Sequence, residues 1–266
     1  MSATFSFSRL GKLITKQFFE NSRLYLFSVL ALLGLMALVF TFWILTGGPN
    51  YQEEGTYFIF LFGLFLAGTI FASMSFNMLG SKDKGIYWLG VPATHLEKLV
   101  CTIIYSTVLF FIVYCLCFYI VKLIALAFLS GYMQNHPGTS YREMAGFDQG
   151  FGSILKYFIY GYFAVQSLYL LGSVYFSKYS FIITTTVGAF IIFVFVYYLT
   201  RIDDIMFDEA NWELLSVKKA DVTITNSYFL YSVSPAIKDI IVYAVQFIWA
   251  PVFWIVTWFR LKEKEI

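Results

Sequence analysis

Residues 24–46 read LYLFSVLALLGLMALVFTFWILT, and no charged side chain interrupts them. Arg23 stands immediately before this run, and a Gly47-Gly48-Pro49-Asn50 turn follows it. A helix rises about 1.5 Å per residue and a bilayer's hydrocarbon core is about 30 Å thick, so a run of this length spans it. The same spacing recurs outward along the chain. Glu54 and Lys82 enclose a second run, Gly55–Ser81; Lys98 and Lys122 bracket a third, Lys156 and Lys178 a fourth, Lys178 and Arg201 a fifth, and Asp239 and Arg260 a sixth. A charge at the centre of a span costs roughly 2.5–3.5 kcal/mol on insertion scales, so a bilayer keeps charges at run ends. Composition agrees: 59% of the 266 residues are hydrophobic and only 13% charged, about half the charged share of a soluble domain. The expected fold is an all-α integral membrane protein with six transmembrane helices.

Lys and Arg set the expected orientation. With the N-terminus inside, the inner segments carry Arg9, Lys12, Lys16 and Arg23, then Lys82, Lys84 and Lys98, then Lys178, then Arg260, Lys262 and Lys264. The outer segments carry none at 47–55 and only Arg142 at 131–150. The third, 201–234, has Arg201, Lys218 and Lys219 among Asp203, Asp204, Asp208, Glu209, Glu213 and Asp221. The positive-inside rule therefore places both termini in the cytoplasm. The N-terminus has no short apolar stretch with a small-residue cleavage site, so the first span is expected to remain as an uncleaved anchor.

Residues 1–23 form a cytoplasmic amphipathic segment, and 24–266 a single six-span domain. In the first part Arg9, Lys12, Lys16, Glu20 and Arg23 recur every three or four positions, while Leu10, Leu13, Ile14 and Phe18 occupy the other face. This predicts a helix on the inner membrane surface with its basic side toward anionic head groups; a helical extension of the first span is the alternative. Gly63, Ala67, Gly68, Ala72 and Ser75 give the second run a strip of small side chains for close helix approach, with packing inside the chain the expected use. Pro235 suits the first turn of the sixth helix, and Pro251 should kink its interior. Cys101, Cys115 and Cys117 all lie in the third run, where they are expected to stay free and pack as small apolar groups. A net charge of +2 points away from nucleic acid.

Between the second and third runs lies GSKDKGIYWLGVPATHLEK, residues 80–98, whose cytoplasmic part spans 81–98. Ile86, Tyr87, Trp88, Leu89 and Val91 would expose apolar and aromatic area to water unless they meet the membrane, another part of the chain or a partner. Pro92 interrupts the segment, and Thr94 with Glu97 three residues later has the spacing of a capping box. A short helix, a break and the start of the third span are expected.

At these residues the chain resembles the membrane subunits of ABC exporters, the ABC-2-type permeases. Their basic turn after the second span, apolar stretch, Leu-Pro-Ala-Ser-like element and Glu-Lys pair correspond to Gly90-Val91-Pro92-Ala93-Thr94 and Glu97-Lys98 here. The motif covers about twenty residues; the layout of N-terminal helix and six spans covers most of the chain. The resemblance implies that Lys84, Ile86, Tyr87, Trp88, Leu89, Pro92, His95, Glu97 and Lys98 couple to a separate ABC ATPase, which would hold ATP and Mg. It also implies a second permease protomer, as homodimer or heterodimer, in a bacterial inner membrane. Packing of the segment on the inner membrane surface is the alternative. Residues 201–234 are longer and more acidic than that family's short re-entrant helices, and are expected to form an extracytoplasmic cap with Trp212, Leu214 and Leu215 at the membrane.

The chain is expected to have no catalytic residue, cofactor or metal of its own. GSKDKG at 80–85 has glycine spacing but lacks the Gly-Lys-Ser/Thr of a phosphate-binding loop. LSGYMQ at 129–134 is spelled like an ABC ATPase signature without a nucleotide-binding fold around it. His95 and His136 fall on opposite sides of the membrane, and no HExxH pattern occurs. Glu53-Glu54 and Asp203-Asp204 are expected as solvated anchors at outer span ends. Besides the permease, two other classes stay open: a membrane assembly or sensory protein using segment 81–98 for a different partner, and an intramembrane enzyme acting on lipid or peptide.

Overall fold

A computed structural model of the chain describes residues 5–47, 50–136, 138, 140–142, 151–176, 178–206 and 235–264. The expected cap around Trp212, Leu214 and Leu215 lies outside them. The elements are α1 (Phe7–Thr46), β1 (Asn50–Gln52), α2 (Glu53–Met74), a 3-10 turn (Asn77–Gly80), α3 (Lys82–Leu89), α4 (His95–Ile103), a π segment (Ile104–Leu109), α5 (Phe110–Asn135), β2 (Ser140–Arg142), α6 (Phe151–Tyr175), α7 (Ser180–Met206) and α8 (Pro235–Glu263). Two compact units result, one comprising Met1–Phe181 with Gln246–Ile266 and the other Ile182–Val245.

Among the described residues, four helical stretches are long and apolar enough to cross a membrane: Phe7–Thr46, Glu53–Met74, His95–Asn135 and Ser180–Tyr198. α6 and α8 are helices of 25 and 29 residues that cover the fourth and sixth apolar runs. Large apolar side chains such as Leu26, Phe27, Leu38, Ile124, Phe190 and Phe193 are exposed. Apolar area on this scale is not stable against water, and lipid is the solvent it fits. Polar side chains on these helices bond back to their own backbone, as Thr41 does to the Ala37 carbonyl, Thr46 to Phe42 and Thr186 to Ile182. That satisfies the hydroxyl where hydrocarbon offers no partner. In the second unit, residues 182–206 continue α7, with Ile191, Ile192 and Phe195 exposed.

α1 corrects one expectation. The N-terminal segment is not a separate surface helix; it continues into the first span as one helix of 40 residues, about 60 Å long. No proline interrupts 7–46, and Leu10, with Leu13 and Ile14 beside it, packs against Cys101 and Tyr105. The amphipathic pattern marks a protein contact on one side of an extended first span.

In the first unit the strip of small residues on α2 packs inside the chain, as expected. A Cβ added at Gly63 would meet the Tyr114 hydroxyl, and one at Gly68 the Gln166 amide and, at 3.3 Å, the Phe110 ring. Ala72 is fully buried, and Ala67 packs on the main core of Met36, Phe40, Leu64, Tyr114, Phe118 and Tyr162. Rings tie the layers together, Phe60 to Phe118 at 4.9 Å and Phe71 stacked on Phe110 at 5.3 Å. α4, the π segment and α5 follow one another without a break, so residues 123–129 extend the third run as helix.

The two ends of this unit differ. At one, β1 and β2 pair in parallel, Tyr51 opposite Tyr141, and Lys122 reaches Glu53 at 2.8 Å. Glu53 is thus ion-paired and only 17% exposed, where a solvated anchor was expected. A partner cation reduces the cost of drawing the carboxylate out of water. The opposite end carries α3 and the start of α4. There Phe76, Leu99, Leu170, Val174 and Leu261 form a second core, with Trp88, Trp254 and Trp258 packed on it. α8 begins at Pro235 and contains Pro251.

Candidate functional site

The expected helix, break and capped helix occur as read. α3 ends at Gly90, and α4 begins after Thr94 with both halves of the capping box formed: the Glu97 amide donates to Thr94 Oγ1 at 3.2 Å, and the Thr94 amide to Glu97 Oε2 at 2.9 Å. The carboxylate then does more than cap. Its Oε1 accepts from the Ser6 amide at 2.7 Å and from Arg9 Nη2 at 2.9 Å and Nε at 3.2 Å. Glu97 is fully buried, so it binds the first turn of α1 to the break before α4. A buried charge persists only with such partners.

Further along, the same two helices are sewn together. Tyr105 Oη donates to the Ile14 carbonyl at 2.7 Å, Cys101 Sγ to Gln17 Oε1 at 3.2 Å, and the Tyr25 and Tyr105 rings stack at 5.5 Å. Cys101, Cys115 and Cys117 are free thiols, as expected.

α3 is held at two points. Tyr87 Oη donates to Glu20 Oε1 at 2.9 Å, with Lys16 Nζ 5.0 Å from the ring centre and 3.6 Å from Glu20. Trp88 turns inward, meeting Phe76 edge-on at 5.6 Å, with Lys98 Nζ 5.0 Å over its ring. Beneath lies a cavity of about 430 Å³ lined by Leu13, Gln17, Tyr87, Trp88, Lys98 and Thr102. Beside it, a groove of about 620 Å³ runs between Arg9, Lys12 and Lys16 of α1 and the Val91-Pro92-Ala93 break.

The residues singled out from the sequence thus separate into two groups. Ile86 is 71% exposed and Tyr87 60%, and Pro92 is exposed as well. Glu97 and Lys98 are buried, and Trp88 is half-buried in the second core. Those three hold the segment in place, because a buried side chain offers a partner no surface. His95 is half-buried at the first turn of α4. Lys84 and Leu89 belong to α3, and their side chains lie outside the described residues. Of the supposed surface-helix residues, Lys12, Lys16 and Phe18 are exposed, while Arg9 is occupied by Glu97. Glu20, read from the sequence only as part of the charged face of α1, also builds the site, as do Ser6, Gln17, Phe76 and Tyr105, which carry no local sequence signal.

His95 opens α4 and His136 follows the last residue of α5, at opposite ends of one continuous helical stretch. Among the described residues, no cluster of His, Cys, Asp or Glu could hold a metal ion. No protein-family model, curated protein or solved structure matches the chain. The case for function therefore rests on this geometry and on the motif at 90–98.

Proposed function

We propose that this chain is the membrane-spanning permease subunit of an ATP-driven ABC exporter, with six spans and both termini in the cytoplasm of a bacterial inner membrane. The observation that carries the reading is α3: a short helix at the span-two to span-three connection, fixed from behind and presenting Ile86 and Tyr87 outward. An exposed Ile and Tyr side by side on an anchored helix suit a docking face, here for a separate ABC ATPase. Trp88, Phe76 and Leu99 join α3 to the core that includes Leu170 of α6 and Leu261 of α8. A push on α3 therefore meets a packed core and passes to several helices at once. ATP and Mg bound in the ATPase would bias the membrane subunit between states only through the different contacts α3 makes in each. A second permease protomer would complete the substrate pathway.

The test is affinity purification from native membranes in mild detergent, with identification of the co-purifying chains. Ile86→Asp alters the docking face and spares the core. Recovery of an ABC ATPase with the native chain and its loss with Ile86→Asp supports the permease. Unchanged recovery would remove α3 from the interface. A partner without nucleotide-binding motifs would favour the assembly reading, and activity of the isolated chain without nucleotide the enzyme reading.

A further inference from the structure

The π segment interrupts an otherwise α-helical span, and such widened turns occur frequently at functional sites. Thr107 lies nine residues beyond Lys98, about 14 Å along the helix and well inside the third run. Most hydroxyls buried nearby are satisfied locally: Thr69 donates to the Phe65 carbonyl, Thr102 to Lys98, Ser167 to Ala164 and Ser173 to Leu170. Ser106 Oγ and Thr107 Oγ1 break this pattern. Both residues are 1% exposed, and neither hydroxyl has a partner among the described residues. Gln166 of α6 is equally buried, and both its amide nitrogen and its amide oxygen are unpaired.

The elements that carry these groups meet. Tyr162 Oη donates to the Thr107 carbonyl at 3.0 Å, joining α6 to the π segment. Gln166 lies one helical turn further along α6, and its amide rests on Gly68 of α2. Phe110, three residues after Thr107, also lies against Gly68. A side chain at position 68 would displace the amide.

We propose that the junction of α2, the π segment and α6 is a binding site for a hydroxyl group, carried by water or by a polyol, inside the membrane-spanning bundle. The donor set selects this chemistry. Gln166 offers N–H donors as well as a carbonyl acceptor, and the hydroxyls of Ser106 and Thr107 offer both roles. A cation would leave the amide N–H groups without an acceptor, and an apolar guest would leave every group unpaired. No Asp, Glu, Lys or Arg occurs at 55–74, 104–109 or 157–175 to offset a buried charge. A hydroxyl donates and accepts at once. The inference does not rest on the permease reading.

Gln166→Leu and Thr107→Val in the full-length chain, purified in detergent, provide the test through thermal unfolding. Replacing an orphaned polar group by an apolar isostere is neutral or stabilising, whereas removing a partner of a bound hydroxyl is destabilising. The site predicts a lower unfolding temperature for both variants, with Thr107→Val the milder. Radiolytic footprinting and added glycerol then separate the sources. Labelling of Tyr162 and Phe110 that Gln166→Leu abolishes identifies water. Stabilisation by glycerol of the native chain but not of Gln166→Leu identifies a polyol hydroxyl. Unchanged or raised unfolding temperatures would overturn the proposal, as would destabilisation with neither labelling nor a glycerol response, which would assign the loss to packing.

Discussion

Glu97 offers the sharpest test of how the two halves of the site are held together. Glu97→Ala removes the acceptor for Ser6, Arg9 and Thr94 amide or guanidinium groups and leaves the guanidinium facing an empty, fully buried position. Breaking a buried ion pair from one side costs about 3–5 kcal/mol. The Arg9 side chain is 32% exposed, so water recovers part of that, while Thr94 keeps its bond from the residue-97 amide and only the returning half of the capping box is lost. A destabilisation of about 3 kcal/mol is expected. Glu97→Gln keeps an acceptor oxygen but loses the charge, which roughly halves each bond, for a cost of about 1–2 kcal/mol. Arg9→Met should fall between the two. SDS-titrated unfolding in mixed micelles, followed by the fluorescence of the six Trp residues, measures all three. The decisive quantity is the Arg9→Met/Glu97→Ala double mutant, which should be more stable than the sum of the single losses by about 1–2 kcal/mol. Additivity within about 0.5 kcal/mol would show that the two side chains do not meet, and the latch would be refuted.

Trp88→Ala should destabilise the chain by about 2–3 kcal/mol, below the full-burial range because the ring is half-exposed, whereas Ile86→Asp should leave unfolding nearly unchanged; comparable losses would contradict the separation of anchor from docking face. Gly63→Ala should cost about 1–3 kcal/mol by displacing the Tyr114 hydroxyl from the Phe60 carbonyl, and Tyr114→Phe in the same chain should restore much of it. At the opposite end, Lys122→Met should cost about 2–3 kcal/mol, and the added change Glu53→Gln should recover part of that by removing the stranded charge. A double mutant less stable than Lys122→Met alone would show that Glu53 has other work there.

The helical membrane class was legible from the spacing of charges alone, because a bilayer penalises misplaced charge residue by residue. The α3 break and the capped start of α4 were legible for a similar reason: Pro92 and the Thr94 to Glu97 spacing act over a single turn. What failed was inference across distance. The periodicity of residues 9–23 is the same for a helix lying on lipid as for one packed on Cys101 and Tyr105, so the pattern identified a buried face without its partner. Glu97 could be read as a cap, but Arg9 stands 88 residues away, and nothing local records that contact. Trp88 looked like a docking residue because exposure was judged from the segment alone, when Phe76 and Lys98 were there to cover it. Gln166 went unremarked as one of a few polar residues in an apolar run, and the π segment has no signature in its sequence IYSTVL.

The most direct test of the permease reading is to place a photo-crosslinking amino acid at position 86, irradiate native membranes, and identify what is joined to the chain. The account predicts a crosslink to a nucleotide-binding ABC subunit, strongest at position 86 and absent at the buried position 99. Crosslinks only to lipid, or to a protein with no nucleotide-binding motif, would contradict it.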